Sequence, residues 1–249
     1  MTASVLRAAL AVLALAGCRS NDPTELIVFA ASSLGDVAYE VAREFEAAHP
    51  GVTVTLRTAG SQELRAQLEH GAHAHVVALA DAAPLEALFA AGLTGAPLPL
   101  AENELVIATP PDDARITDLA GLATVERLAL AATEVPAGRH AEALLLRAET
   151  VHGAGFRARV LARVVTRDLN VRQVLSRIRL GEVDAGIVYA SDTIDAPVRT
   201  VRVPPELAER VVSAVAIVRD APPLAAELLS ALRGAHEVLR RRGMHPAAP

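Results

Sequence analysis

The chain has 249 residues, 52% of them hydrophobic, and a formal net charge of −5 at pH 7. That length holds one large domain or two small ones, and the apolar content excludes intrinsic disorder. Aromatics are 2% with no Trp, which argues against a site that stacks sugars or bases, and the 24 basic residues, all Arg, do not outnumber the acids as a nucleic-acid-binding face would require.

Arg7 is the first charge and precedes an apolar run from Ala8 to Ala16. The run is too short to span a bilayer. It ends in Leu15-Ala16-Gly17-Cys18. A short apolar stretch closed by small residues is an export signal, and this one looks like a bacterial lipobox, cut before Cys18 with lipid on its thiol. The expectation is a signal peptide over 1–17 and a lipidated Cys18 with a polar tether over 18–25. Acyl chains there would hold the protein at a membrane surface. Cys18 is the sole cysteine, so an internal disulfide and a cysteine-based metal or redox centre are excluded.

Apolar runs then alternate with helical periods. The expected strands are Leu26–Ala30, Val52–Thr58, Val76–Ala80, Leu105–Thr109, Leu128–Ala131, Val160–Thr166, Ala185–Tyr189, Val198–Val203 and Val211–Val218. Several are continuous apolar runs, as in strands covered on both faces. Leu34, Val37, Val41 and Phe45 share one helical face, as do Val171, Val174, Leu175 and Ile178. A last helix carries Leu224, Leu228, Leu232, Ala235 and Leu239, starting after Pro222-Pro223 and stopping at Gly243. The alternation predicts an α/β fold of two mostly parallel sheets flanked by helices, with a ligand cleft between two lobes. Leu105–Thr109 and Val211–Val218 are the expected crossings, which puts 26–104 plus 217–249 in lobe I and 105–216 in lobe II.

Short motifs recur where such sheets bind ligands, beyond the carboxyl ends of strands and at helix starts. They read Ala31-Ser32-Ser33-Leu34, Ala59-Gly60-Ser61, Val135-Pro136-Ala137-Gly138, Asn170-Val171-Arg172 and Gly186-Ile187-Val188-Tyr189. Helix starts carry unpaired N–H groups and the positive end of a dipole, so several converging on one point bind an anion without a cationic side chain. Singly each motif is ordinary. Ser33-Leu34-Gly35-Asp36 fits a loose capping box, Asn170 fits an N-cap that leaves the Val171 N–H for a ligand, and Tyr189 fits a core tyrosine.

Together, with Ala80-Asp81 and Asp184-Ala185 added, these motifs resemble the bacterial molybdate-binding proteins, the substrate-binding components of molybdate ABC transporters. The similarity runs from about Leu26 to Met244. It implies a type II periplasmic-binding-protein fold and an oxyanion held by Ser33, Ser61, Ala137, Val171 and Tyr189. It also implies molybdate or tungstate as ligand, with no catalytic residue and no separate cofactor. The partner implied is a permease in the inner membrane, served by a monomer. The chain departs from the family at His73-Ala74-His75, at His140 where a Tyr is common, and at Leu169 where an acid is frequent.

The implied site contains only donors. A fully deprotonated tetrahedral dianion accepts on every oxygen and is satisfied there. Monohydrogen phosphate carries a proton that would be left unpaired, at about 1–3 kcal/mol. Sulfate or another tetrahedral oxyanion is the alternative ligand, separated by cavity size. A secreted hydrolase is a weaker alternative, since the sequence has no Gly-x-Ser-x-Gly elbow and no evident nucleophile–base pair. His70, His73 and His75 lack a nearby acid or Cys that would complete a metal set, and Arg240-Arg241-Arg242 suits a helix C-terminus.

Overall fold

Strands and helices alternate from Thr24 onward in the computed structural model, which describes residues 24–247. The expected signal peptide and Cys18 lie outside the described residues. β1 (Thr24–Ala31) leads through a 3-10 turn (Ser32–Leu34) into α1 (Gly35–Ala48), then β2 (Val52–Ala59), α2 (Ser61–Glu69), β3 (Val76–Leu79) and α3 (Ala83–Ala90). The long β4 (Leu98–Thr109) follows, then β5 (Leu128–Ala131), α4 (Pro136–His152), α5 (Phe156–Leu161), β6 (Val164–Asp168), α6 (Val171–Arg179) and β7 (Ala185–Tyr189). The chain closes with β8 (Arg199–Arg202), β9 (Arg210–Ile217), α7 (Leu224–Gly234), α8 (His236–Arg241) and β10 (His245–Pro246).

The main strand order is β2-β1-β3-β9-β4-β7-β5-β6. β1 is parallel to β2 and β3, and β5 is parallel to β6 and β7. The antiparallel pairings lie on β4 and β9, which join the two parallel sets. β4 is the hinge strand. Its first part pairs with β9 as far as Glu104↔Arg210, and from Leu105↔Tyr189 onward it pairs with β7. One strand thus serves both lobes, and Tyr189 sits at the switch.

β9 pairs with β3 and with the first part of β4 along its length. The run Val211–Val218, expected as a crossing, thus pairs on the β3 side of the hinge strand. An apolar run does not state which of two sheets it joins.

Two expectations differ from the structure. The run Val160–Thr166 divides into the end of α5 and the start of β6. Phe156 and Val160 are buried four residues apart, a helical spacing hidden inside a β-rich stretch. The last helix breaks at Ala235 (φ −76°, ψ 47°), where the chain turns between α7 and α8. The α1 face Val37, Val41 and Phe45 and the α6 face Val174, Leu175 and Ile178 are buried as their periods predict. Burial of these stripes against the sheets supplies the main stabilisation of both helices.

Candidate functional site

Register sets the site. Ala31 pairs with Ala59, so β1 and β2 end level and deliver Ser33 and Ser61 side by side. In the other lobe Ala131 pairs with Asp168, so β5 and β6 also end level and deliver the starts of α4 and α6. Ser33, Ser61, Ala137, Val171 and Tyr189 line a single chamber, with Ala80 and Asn170 among its other walls. Its volume is about 10 Å³, close to that of one water-sized sphere.

Each wall presents a donor for a local reason. Pro136 opens α4 and has no N–H, so the Ala137 N–H is the first that the helix offers. The Asn170 side chain accepts from the Gln173 N–H at 3.1 Å and caps α6, as its residue type predicts; the N–H of Val171, the first helical residue, has no intrahelical acceptor. Ser61 is the first residue of α2, and its Oγ accepts from the Ala80 N–H at 3.1 Å, which leaves the hydroxyl proton to donate. The capping box at Ser33 does not form: Ser33 lies in the 3-10 turn, and α1 starts after Leu34 with no side-chain cap. Its hydroxyl is therefore not committed to a helix end.

Tyr189 is buried, and its hydroxyl has no hydrogen-bond partner among the described residues. Burial, then the nearby Asp81 and Asp192 carboxylates, push its pKa well above the ordinary phenol value, so it remains a donor. A buried hydroxyl of this kind costs free energy unless something accepts from it.

Around the chamber the lobes are fastened by polar contacts that the sequence does not announce. Arg139 Nη2 on α4 donates to Asp81 Oδ2 after β3 at 2.5 Å, and His140 Nε2 lies 3.5 Å from the same oxygen. Burial pushes the Asp81 carboxyl up, but His140 and Arg139 more than offset this and hold it below the usual carboxylate range. Gln62 Nε2 on α2 donates to the Leu169 carbonyl at 2.8 Å. Arg172 Nη2 donates to Asp36 Oδ2 at 2.6 Å, and its Nε lies 3.1 Å from Asp192 Oδ1, in ion-pair contact but off the N–H direction. Burial drives the Asp192 carboxyl up to about 6 against the pull of Arg172. The departure His140 takes part in these fastenings with its ring, whereas Leu169 contributes only its main-chain carbonyl.

His73 and His75 meet edge to face at 4.6 Å, and His75 Nδ1 accepts from the Ile27 N–H at 2.8 Å. No group of three or more His, Cys, Asp or Glu able to hold a metal occurs among the described residues. No helix among them is long and apolar enough to cross a membrane.

Residues 26–245 match the family described as bacterial extracellular solute-binding proteins. The chain is 31% identical to the molybdate-binding protein ModA of Mycobacterium tuberculosis, over 92% of this chain and 91% of that protein. It is also 31% identical to a putative ABC transporter substrate-binding lipoprotein of Bacillus subtilis, over 77% of this chain and 75% of the relative. Among solved structures, the periplasmic molybdate-binding protein of Azotobacter vinelandii superposes with a TM-score of 0.78 at 20% identity, covering 90% of this chain and 99% of that one.

Proposed function

The chain belongs to the bacterial extracellular solute-binding protein family, and from that premise we propose that it captures molybdate outside the cytoplasm and delivers it to an ABC transporter permease. The observation that carries the reading is the convergence of Ser33, Ser61, Ala137, Val171 and Tyr189 on one small chamber. Three helix starts and a buried tyrosine hydroxyl supply hydrogen-bond donors to a tetrahedral dianion, and the helix dipoles favour its charge.

Tungstate is nearly isosteric with molybdate and binds the same donors. The two lobes close on the ion about the hinge strand β4, with lobe I comprising residues 24–104 and 210–247. The protein works as a monomeric binder, not an enzyme: the reading gives Ser33, Ser61 and Tyr189 donor roles and requires no base. A lipid on Cys18 tethers it to a membrane beside the permease.

Calorimetric titration of the soluble chain from Arg19 onward tests the reading. One-to-one binding of molybdate and tungstate, with sulfate and phosphate far weaker, is the expected result. Sulfate binding as tightly as molybdate would change the ligand, and a folded protein that binds none of these ions would overturn the transport function.

A further inference from the structure

Arg172 joins two carboxylates whose needs differ. Asp192 belongs to the same lobe, directly after β7, and its side chain is 0% exposed. A buried carboxylate requires a counter-charge, and Arg172 supplies it at 3.1 Å. Arg172 on α6 and Asp192 after β7 both follow strands of the second parallel set, so this pair does not depend on contact with α1. Asp36 lies in the first turn of α1, on the other lobe, with a side chain 49% exposed. Water would solvate it well without Arg172. The 2.6 Å bridge from Arg172 to Asp36 therefore exists only when the lobes are together.

The three charges also flank the chamber donors. Asp36 follows Ser33 on one lobe, and Arg172 follows Val171 on the other. Asp192 Oδ2 accepts from the Tyr189 N–H at 3.3 Å and so holds the backbone that aims the tyrosine. A cation anchored by a buried carboxylate beside the hinge is pre-positioned, and forming the bridge costs little of the side-chain entropy that weakens ordinary surface pairs.

We propose that Arg172, anchored by Asp192, is the positioning residue that latches the closed cleft through Asp36, and thereby sets how long the bound oxyanion stays. The proposal rests on the molybdate reading for its ligand. Because the bridge forms after encounter, it acts on release rather than capture.

The test is Asp36→Asn, which removes the ionic part of the bridge, leaving only a neutral acceptor, and keeps the Arg172–Asp192 pair intact, with Asp36→Glu as the conservative control. Stopped-flow kinetics on the full chain with molybdate should show dissociation about two- to tenfold faster in Asp36→Asn, with association little changed. Asp36→Glu should restore slow release. A spin label on each lobe, read with and without molybdate, should show a smaller closed population in Asp36→Asn while the unliganded melting temperature stays that of the wild type. Unchanged dissociation and unchanged distance distributions would overturn the latch, as would a loss explained by a lower melting temperature. Failure of the wild-type protein to bind molybdate would overturn the ligand assignment instead, and the distance distributions of the unliganded proteins would then decide the latch.

Discussion

Gly60 and Leu169 meet across the cleft so closely that a Cβ on Gly60 would lie 2.6 Å from the Leu169 carbonyl oxygen. Gly60 has φ −65° and ψ 145°, a conformation open to any residue. Its glycine is therefore required by the approach of the other lobe, not by its own backbone. The same atoms place Gln62 Nε2 on that carbonyl.

Gly60→Ala separates closure from folding. Within its own lobe the new methyl meets the flexible end of the Gln62 side chain, which swings away, so the unliganded melting temperature should hold or rise slightly. Closure would force the lobes apart or displace the Gln62 amide, and oxyanion affinity should fall by at least tenfold. Titration and thermal melting of the same sample check this. Wild-type affinity in Gly60→Ala would mean that the closed arrangement is not the binding form.

Tyr189→Phe should move stability and affinity in opposite directions. The hydroxyl is buried with no partner among the described residues, so deleting it removes a desolvation cost and should leave the unliganded fold as stable or more so. Donation to a charged acceptor contributes about 1.5–3 kcal/mol, so molybdate binding should weaken by roughly 10- to 150-fold. A variant that loses stability and keeps affinity would make Tyr189 a core residue only. The double variant Ser33→Ala, Ser61→Ala should likewise stay folded and lose most affinity.

The donors and the fastenings were unequally legible in the sequence. Ser33, Ser61, Ala137, Val171 and Tyr189 stand at helix starts or a strand end, and local residue types such as Pro136 and Asn170 mark those places. Knowing that they converge required the motif resemblance, because level strand ends are a property of register. The pairs Asp81–Arg139 and Asp36–Arg172 are 58 and 136 residues apart and leave no local signature. The pairing partners of β9 were hidden for the same reason, since its apolar pattern suits any neighbouring strand. The 156–161 helix was masked by β-branched neighbours that outweighed a single i,i+4 pair.

Cys18→Ser tests the anchor independently of the site. Without the thiol no acyl chain can attach, and the protein should move from the membrane fraction to the soluble fraction with its molybdate affinity intact. Fractionation followed by titration reads both. Continued membrane association would remove the lipid anchor from the account and leave the binding site untouched.

Asp192 gives the fold a pH dependence with a definite sign. Its carboxyl titrates at about 6 in the folded protein, against 3.8 for the ordinary side chain. The folded state therefore holds a proton that the unfolded state has already released. The stability this contributes is fully present below about 3.8 and is lost as pH rises through about 6. The paired carboxyls of Glu40, Asp113 and Glu142 are shifted downward, so their contributions disappear at more acidic pH. Asp192→Asn keeps an acceptor for the Tyr189 N–H and removes the titration. The attraction of Arg172 is already contained in the raised value, so the neutral side chain should be the more stable one at neutral pH. The stability of Asp192→Asn relative to wild type should thus grow between pH 4 and pH 7, read from denaturation midpoints at each pH. A flat difference across that interval would show that burial does not hold the Asp192 proton, and that Arg172 neutralises the carboxylate completely.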